Sequence, residues 1–91
     1  MLQFTTIDLD APLRGVSVWL IREYLQDLGG SVQDEATVLG TGWRAELHQL
    51  EPFRVGSLRV GQVQLILSGD PEPLAVLREA LTRKLMTRGG G

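Results

Sequence analysis

The sequence predicts a single α+β domain: an antiparallel sheet of about five strands with two helices on one face, in the order β-α-β-β-β-β-α. Three observations carry that expectation. Two stretches repeat apolar residues every three or four positions, Leu13-Val16-Leu20-Tyr24-Leu28 early in the chain and Leu74-Leu77-Leu81-Leu85 late in it. Between them lie short runs that alternate apolar and polar side chains and are separated by glycine or proline. Finally, 91 residues leave room for one hydrophobic core and no second. The expected layout is one folded domain over residues 1–88 followed by a flexible glycine tail, 89–91.

Taken in order, residues 4–9 alternate and are rich in β-branched and aromatic types, which reads as a first strand. Asp10 followed by Ala11-Pro12 is a helix-entry signal, so the first helix is expected over 12–28, ended by Gly29-Gly30. Trp19, Ile21 and Leu25 widen its apolar stripe, and Gly15 is a weak point within it. Residues 31–39 form the next expected strand, interrupted by Asp34-Glu35, and Gly40-Thr41-Gly42 is a tight turn. The run 43–48 alternates strictly, with Trp43, Ala45 and Leu47 on one face and Arg44, Glu46 and His48 on the other. Glu51-Pro52 breaks that ladder, since proline has no amide donor. A strand over 53–60 then meets a connection at Gly61, and 62–67 completes a hairpin with Val63, Leu65 and Leu67 sharing a face. Asp70 caps a second helix, with Pro71 and Glu72 in its first turn and Arg83, Lys84 and Arg88 near its C-terminal end, where cations complement the dipole.

Composition removes several function classes. Hydrophobic residues at 43% and charged residues at 22% are those of a globular chain. There is no cysteine and a single histidine, so disulfides, thiolate metal sites and cysteine nucleophiles are absent and no metal or other cofactor is expected. A net charge of −2 argues against a nucleic-acid binder. The N-terminus has no basic leader and no apolar run approaches membrane-spanning length, which reads as a cytoplasmic chain with no membrane partner. The net charge conceals a gradient. Residues 1–53 carry three arginines against eight carboxylates, and residues 54–91 carry six basic groups against three acidic ones.

No catalytic constellation is expected. His48 falls on the polar side of its strand, no spacing couples it to Ser57 or Ser68, and the glycines form neither a phosphate loop nor Gly-x-Gly-x-x-Gly. The chain is therefore read as non-enzymatic. The most suggestive stretch is Pro52 to Gly61. Arg54 and Arg59 are five apart, on opposite faces of an ideal strand, but a bulge at Gly56 could bring them together, and with Arg44 on the neighbouring strand they would form a three-arginine anion site. The ordinary reading of the same residues is surface charge paired with Glu46 and Glu51. Trp19 and Trp43 are expected to meet in the core. The terminal Gly89-Gly90-Gly91 matches the Gly-Gly ending of ubiquitin-like sulfur carriers, although here it directly follows an expected helix.

The element order, the Arg-Val-Gly-Ser-Leu-Arg-Val-Gly stretch at 54–61 and the strand Trp43-Arg44-Ala45-Glu46-Leu47 resemble the C-terminal domain of MoaD-related proteins. In that family the domain follows a β-grasp domain similar to the small subunit of molybdopterin synthase. The resemblance covers residues 2–85. It implies a TATA-binding-protein-like fold, a curved antiparallel sheet with helices on one side, and it carries over no catalytic residue. The chain is expected to lack the preceding β-grasp domain, in which case a link to molybdenum-cofactor biosynthesis calls for a partner in trans. The function expected is an interaction or accessory domain that binds a protein partner or self-associates, a homodimer through its sheet being the simplest form. Two other readings stand beside it: a small anion- or cofactor-precursor-binding domain using Arg44, Arg54 and Arg59, and a sulfur carrier using the C-terminal glycines.

Overall fold

The structure, a computed structural model, describes residues 9–87. A short strand β1 (Leu13–Arg14) precedes helix α1 (Val18–Asp27). Strands β2 (Ser31–Asp34), β3 (Thr37–Gly40), β4 (Trp43–Val55) and β5 (Leu58–Gly69) follow, and then helix α2 (Pro71–Thr87). The five strands make one antiparallel sheet in the order β1-β5-β4-β3-β2. Fold class and element order are those expected, while several boundaries move. The strand expected over 4–9 and the glycine tail lie outside the described residues, apart from Leu9, which is buried in a turn.

The helix does not start at Pro12. Leu13 pairs with Val63 and Arg14 with Gln62, so this segment is an edge strand on β5. Gly15, at φ 74°, then turns the chain and donates its amide to the Gly61 carbonyl at 2.9 Å. Only at Ser17 does a cap appear, its Oγ accepting the Leu20 amide at 3.1 Å. The physical reason is local. Glycine disfavours a helix interior but suits a positive φ, and serine caps an exposed helix start well. The later start also rotates the buried seam: Ile21 and Leu25 are buried, Leu20, Tyr24 and Leu28 are half-buried, and Trp19 is 61% exposed. The expected meeting of Trp19 with Trp43 therefore does not occur. At the far end Gly29 donates to the Gln26 carbonyl at 3.0 Å and Gly30 to that of Leu25 at 2.8 Å, a Schellman closure with Gly29 at φ 98°.

Two hairpins also differ from expectation. The single strand expected over 31–39 is β2 folded onto β3, because Asp34 Oδ1 accepts the Ala36 amide at 2.8 Å and turns the chain at Glu35-Ala36. The long β4–β5 hairpin turns at Gly56-Ser57, with Gly56 at φ 60°, and not at Gly61, which lies within β5. Pro52 does not end β4. Leu50 pairs with Gln62 and Phe53 with Val60, so Glu51 and Pro52 together stand opposite Gly61 as a bulge, where a missing amide is tolerated.

Both helices cover one face of the sheet. Ile21 and Leu25 of α1 and Leu77, Leu81 and Leu85 of α2 join Trp43, Ala45 and Leu47 of β4 and Val63 and Leu65 of β5 in a single apolar cluster. Among the described residues no polar or charged side chain is buried. None of the described helices is long and apolar enough to cross a membrane.

Candidate functional site

The alternation that buries Trp43, Ala45 and Leu47 turns Arg44, Glu46 and His48 to the helix-free face, opposite Ser68, Ile66 and Gln64 of β5. Arg44 reaches Glu46 at 3.6 Å, an exposed pair that contributes little to stability. Leu39 and Ile66 are 37% and 40% exposed on this face. It is thus a mixed surface with apolar points among polar groups, and His48 lies exposed upon it as expected.

Past Leu50 and Gln62 the β4–β5 ribbon extends beyond the other described strands, with the Gly15 amide reaching only as far as the Gly61 carbonyl. The register of β3 with β4 reaches Glu46, and that of β1 with β5 covers only Gln62 and Val63. This arm has two unlike faces. Phe53 pairs with Val60 and Val55 with Leu58 on the side continuous with the helix-free face; Val55 and Leu58 are 52% and 66% exposed. Arg54 pairs with Arg59 on the other side, both exposed. The base of the arm is clamped. The Arg14 guanidinium lies 3.7 Å from the centroid of the Phe53 ring, and its Nε donates to Gln62 Oε1 at 3.3 Å. Gln62 Nε2 in turn donates to the Glu51 carbonyl at 2.9 Å, holding the bulge.

Of the three arginines named from the sequence, two come together. Arg54 and Arg59 meet because the turn lies midway between them, at Gly56-Ser57, and no bulge at Gly56 is needed. Arg44 does not join them. It lies ten residues back along β4, about 30 Å away at the rise of an extended strand, on the opposite face and beside Glu46. The three-arginine cluster is therefore not formed, and only the arm pair remains to meet an anion. No group of three or more metal-ligating side chains comes together among the described residues.

A second feature escapes the sequence reading. Trp19, Arg22, Glu23 and Gln26 line one side of a groove whose other side is Gly30, Ser31 and Val32 at the start of β2. Their spacing along α1 repeats at three and four residues, but the sequence assigns Trp19 to the buried stripe of the helix, so the set does not stand out as a surface. Arg22 donates to the Glu35 carbonyl at 3.1 Å, tying the helix to the β2–β3 turn, and Lys84 of α2 pairs with Asp27 at 3.5 Å.

No curated protein sequence matches the chain. The model of a family described as archaeal MoaD-like protein matches it over residues 10–91. That span takes in every described strand and helix as well as the stretch at 54–61 on which the resemblance rested, and the chain belongs to the archaeal MoaD-like protein family.

Proposed function

We propose that this chain is a non-enzymatic accessory domain linked to molybdenum-cofactor biosynthesis, acting by binding a protein partner on the helix-free face of its sheet. The match to a family described as archaeal MoaD-like protein supports the pathway link. The observation that carries the binding role is the open face itself, where Leu39 and Ile66 stand exposed among Arg44, Glu46 and His48. A surface of isolated apolar points within a polar rim suits association with another protein. Co-purification from the native host with mass spectrometry tests the reading. Recovery of a β-grasp protein or a molybdenum-cofactor enzyme, lost on Ile66→Asp, is the expected result. Recovery of neither, or a partner retained by that variant, refutes it.

A second reading has one observation in its favour: the family match continues through Gly89-Gly90-Gly91. A carboxylate at Gly91 is the group that a sulfur carrier presents for adenylation. Mass spectrometry after incubation with ATP and an activating enzyme decides this, since a chain without an adduct at Gly91 has no such role.

A further inference from the structure

We propose that two copies of this chain join edge to edge through β2, about a two-fold axis at Val32, so that two five-stranded sheets become one continuous sheet with the two α1 helices side by side on it. The contact is separate from the helix-free face and does not rest on the partner reading above.

The strand edge is the first observation. β2 pairs only with β3, so alternate residues on its outer side present an amide and a carbonyl with no strand beside them among the described residues. All four residues of β2 are exposed, and none is a lysine or a proline, two of the residues that guard such an edge against pairing. An antiparallel strand satisfies these groups, and β2 supplies one to itself. With the axis at Val32 the two valines face each other and Ser31 faces Gln33 of the second copy. The irregularity between Val32 and Asp34 leaves Asp34 at the margin of the ladder, opposite Gly30 of the second copy. No like charges meet in this register. The two Asp34 residues stand four residues apart, about 13 Å, beyond the screening length of about 8 Å at physiological ionic strength.

The side chains above the edge select the same partner. The Gly30 amide donates to the Leu25 carbonyl, so β2 starts level with the last turn of α1 and runs back along it. Two residues of strand advance about 6.6 Å and four residues of helix about 6 Å, which brings Val32 level with Arg22 and Glu23. A two-fold axis at that level sets the two α1 helices antiparallel, with Arg22 facing Glu23 of the second copy on both sides of the axis and Trp19 facing its Gln26. One cation and one anion cancel within a copy and complement each other between copies, which suits an isologous contact and leaves a partner of single charge sign without a match.

The spacing of the layers agrees. α1 packs against β2, β3 and β4, so it lies over β3. Across the joined edge the two β3 strands are three strand spacings apart, about 14 Å, against about 8–10 Å for helices in direct contact. The extra width takes the side chains that a single copy leaves exposed, Trp19 at 61% and Val32 at 40%. An exposed tryptophan beside an aliphatic residue is the kind of anchor around which interfaces concentrate their energy.

Sedimentation velocity and hydrogen exchange on the full chain test the proposal. The wild-type mass is expected to rise with concentration, between the micromolar and near-millimolar ranges, to that of two chains and no further, since a two-fold contact closes on itself. Exchange of the amides at 31–33 is expected to slow as the dimer forms. Val32→Lys, which sets two cations face to face on the axis, is expected to stay monomeric. Glu23→Arg and Arg22→Glu each make the helix contact like-charged and are expected to dimerise less than the wild type, while an equal mixture of the two forms a heterodimer. A wild type that stays monomeric or grows past two chains overturns the proposal. So does Val32→Lys dimerising like the wild type, exchange at 31–33 that does not change with dimerisation, or a mixture that associates no better than its components. Dimerisation kept in Val32→Lys and lost in Ile66→Asp overturns it in favour of stacked sheet faces. Should Val32→Lys lose the wild-type circular dichroism spectrum, Trp19→Ala takes its place. That variant removes an exposed side chain and is expected to dimerise more weakly by about tenfold or more, and dimerisation like that of the wild type refutes the proposal.

Discussion

Arg54 and Arg59 stand opposite each other as register partners two residues from the tip of the β4–β5 hairpin. Their juxtaposition follows from the turn at Gly56-Ser57, which places equal lengths of strand on either side. It costs the free molecule some stability, since like charges facing across a ladder repel. Arg59→Glu replaces that repulsion with an attraction. The variant is expected to be more stable than the wild type by about 0.2–1 kcal/mol in urea unfolding at low protein concentration. A variant less stable than the wild type would show that the arm arginines do not oppose one another.

The glycines of the sheet separate into those that need their hydrogen and those that do not. A Cβ on Gly40 would fall within the Trp43 indole, which is held against the core. Gly40→Ala is expected to destabilise by about 1–3 kcal/mol as an overpacking change. Gly61, by contrast, has open space where its Cβ would be and no positive φ. Gly61→Ala should lie within about 0.5 kcal/mol of the wild type. Thermal unfolding of the two variants side by side checks both statements.

Helix α1 begins at Ser17, so removal of its hydroxyl has a defined cost. Ser17→Ala loses the bond to the Leu20 amide and is expected to lower stability by about 1 kcal/mol, with Ser17→Asp restoring most of it. Denaturant midpoints for the two variants measure this. An unchanged midpoint for Ser17→Ala would move the helix start elsewhere.

Along α2, neighbouring turns present opposite situations. Leu81 is fully buried in the common cluster, whereas Val76 is 68% exposed. Leu81→Ala is expected to cost about 2–5 kcal/mol through the cavity it leaves. Val76→Ala, which leaves none, should change stability by no more than about 0.5 kcal/mol. Comparable losses in the two variants would show that α2 packs with a different face.

The local pattern of residues determined the class of the fold, the order of its elements and the strands with strict alternation. Trp43, Ala45 and Leu47 are buried together because period-two spacing admits only one such face, and Leu77, Leu81 and Leu85 because helical spacing does the same for α2. The tight turn at Thr41-Gly42 and the glycine closure of α1 were equally local, each set by a backbone conformation that glycine adopts freely. What tertiary structure alone decided was the competition between signals of similar strength. Asp10-Ala11-Pro12 is a valid helix start, but β5 recruited Leu13 and Arg14 as an edge strand, and the helix waited for Ser17. Gly56 and Gly61 are both valid hairpin turns, and the pairing of Ala45, Leu47 and Gln49 with Leu67, Leu65 and Val63 selected the former. That choice, made by burial far from the turn, set Arg54 against Arg59 and carried Arg44 out of their reach. The exposure of Trp19 has the same origin, because the helix phase follows from where its seam meets the sheet and not from the hydrophobicity of any one residue.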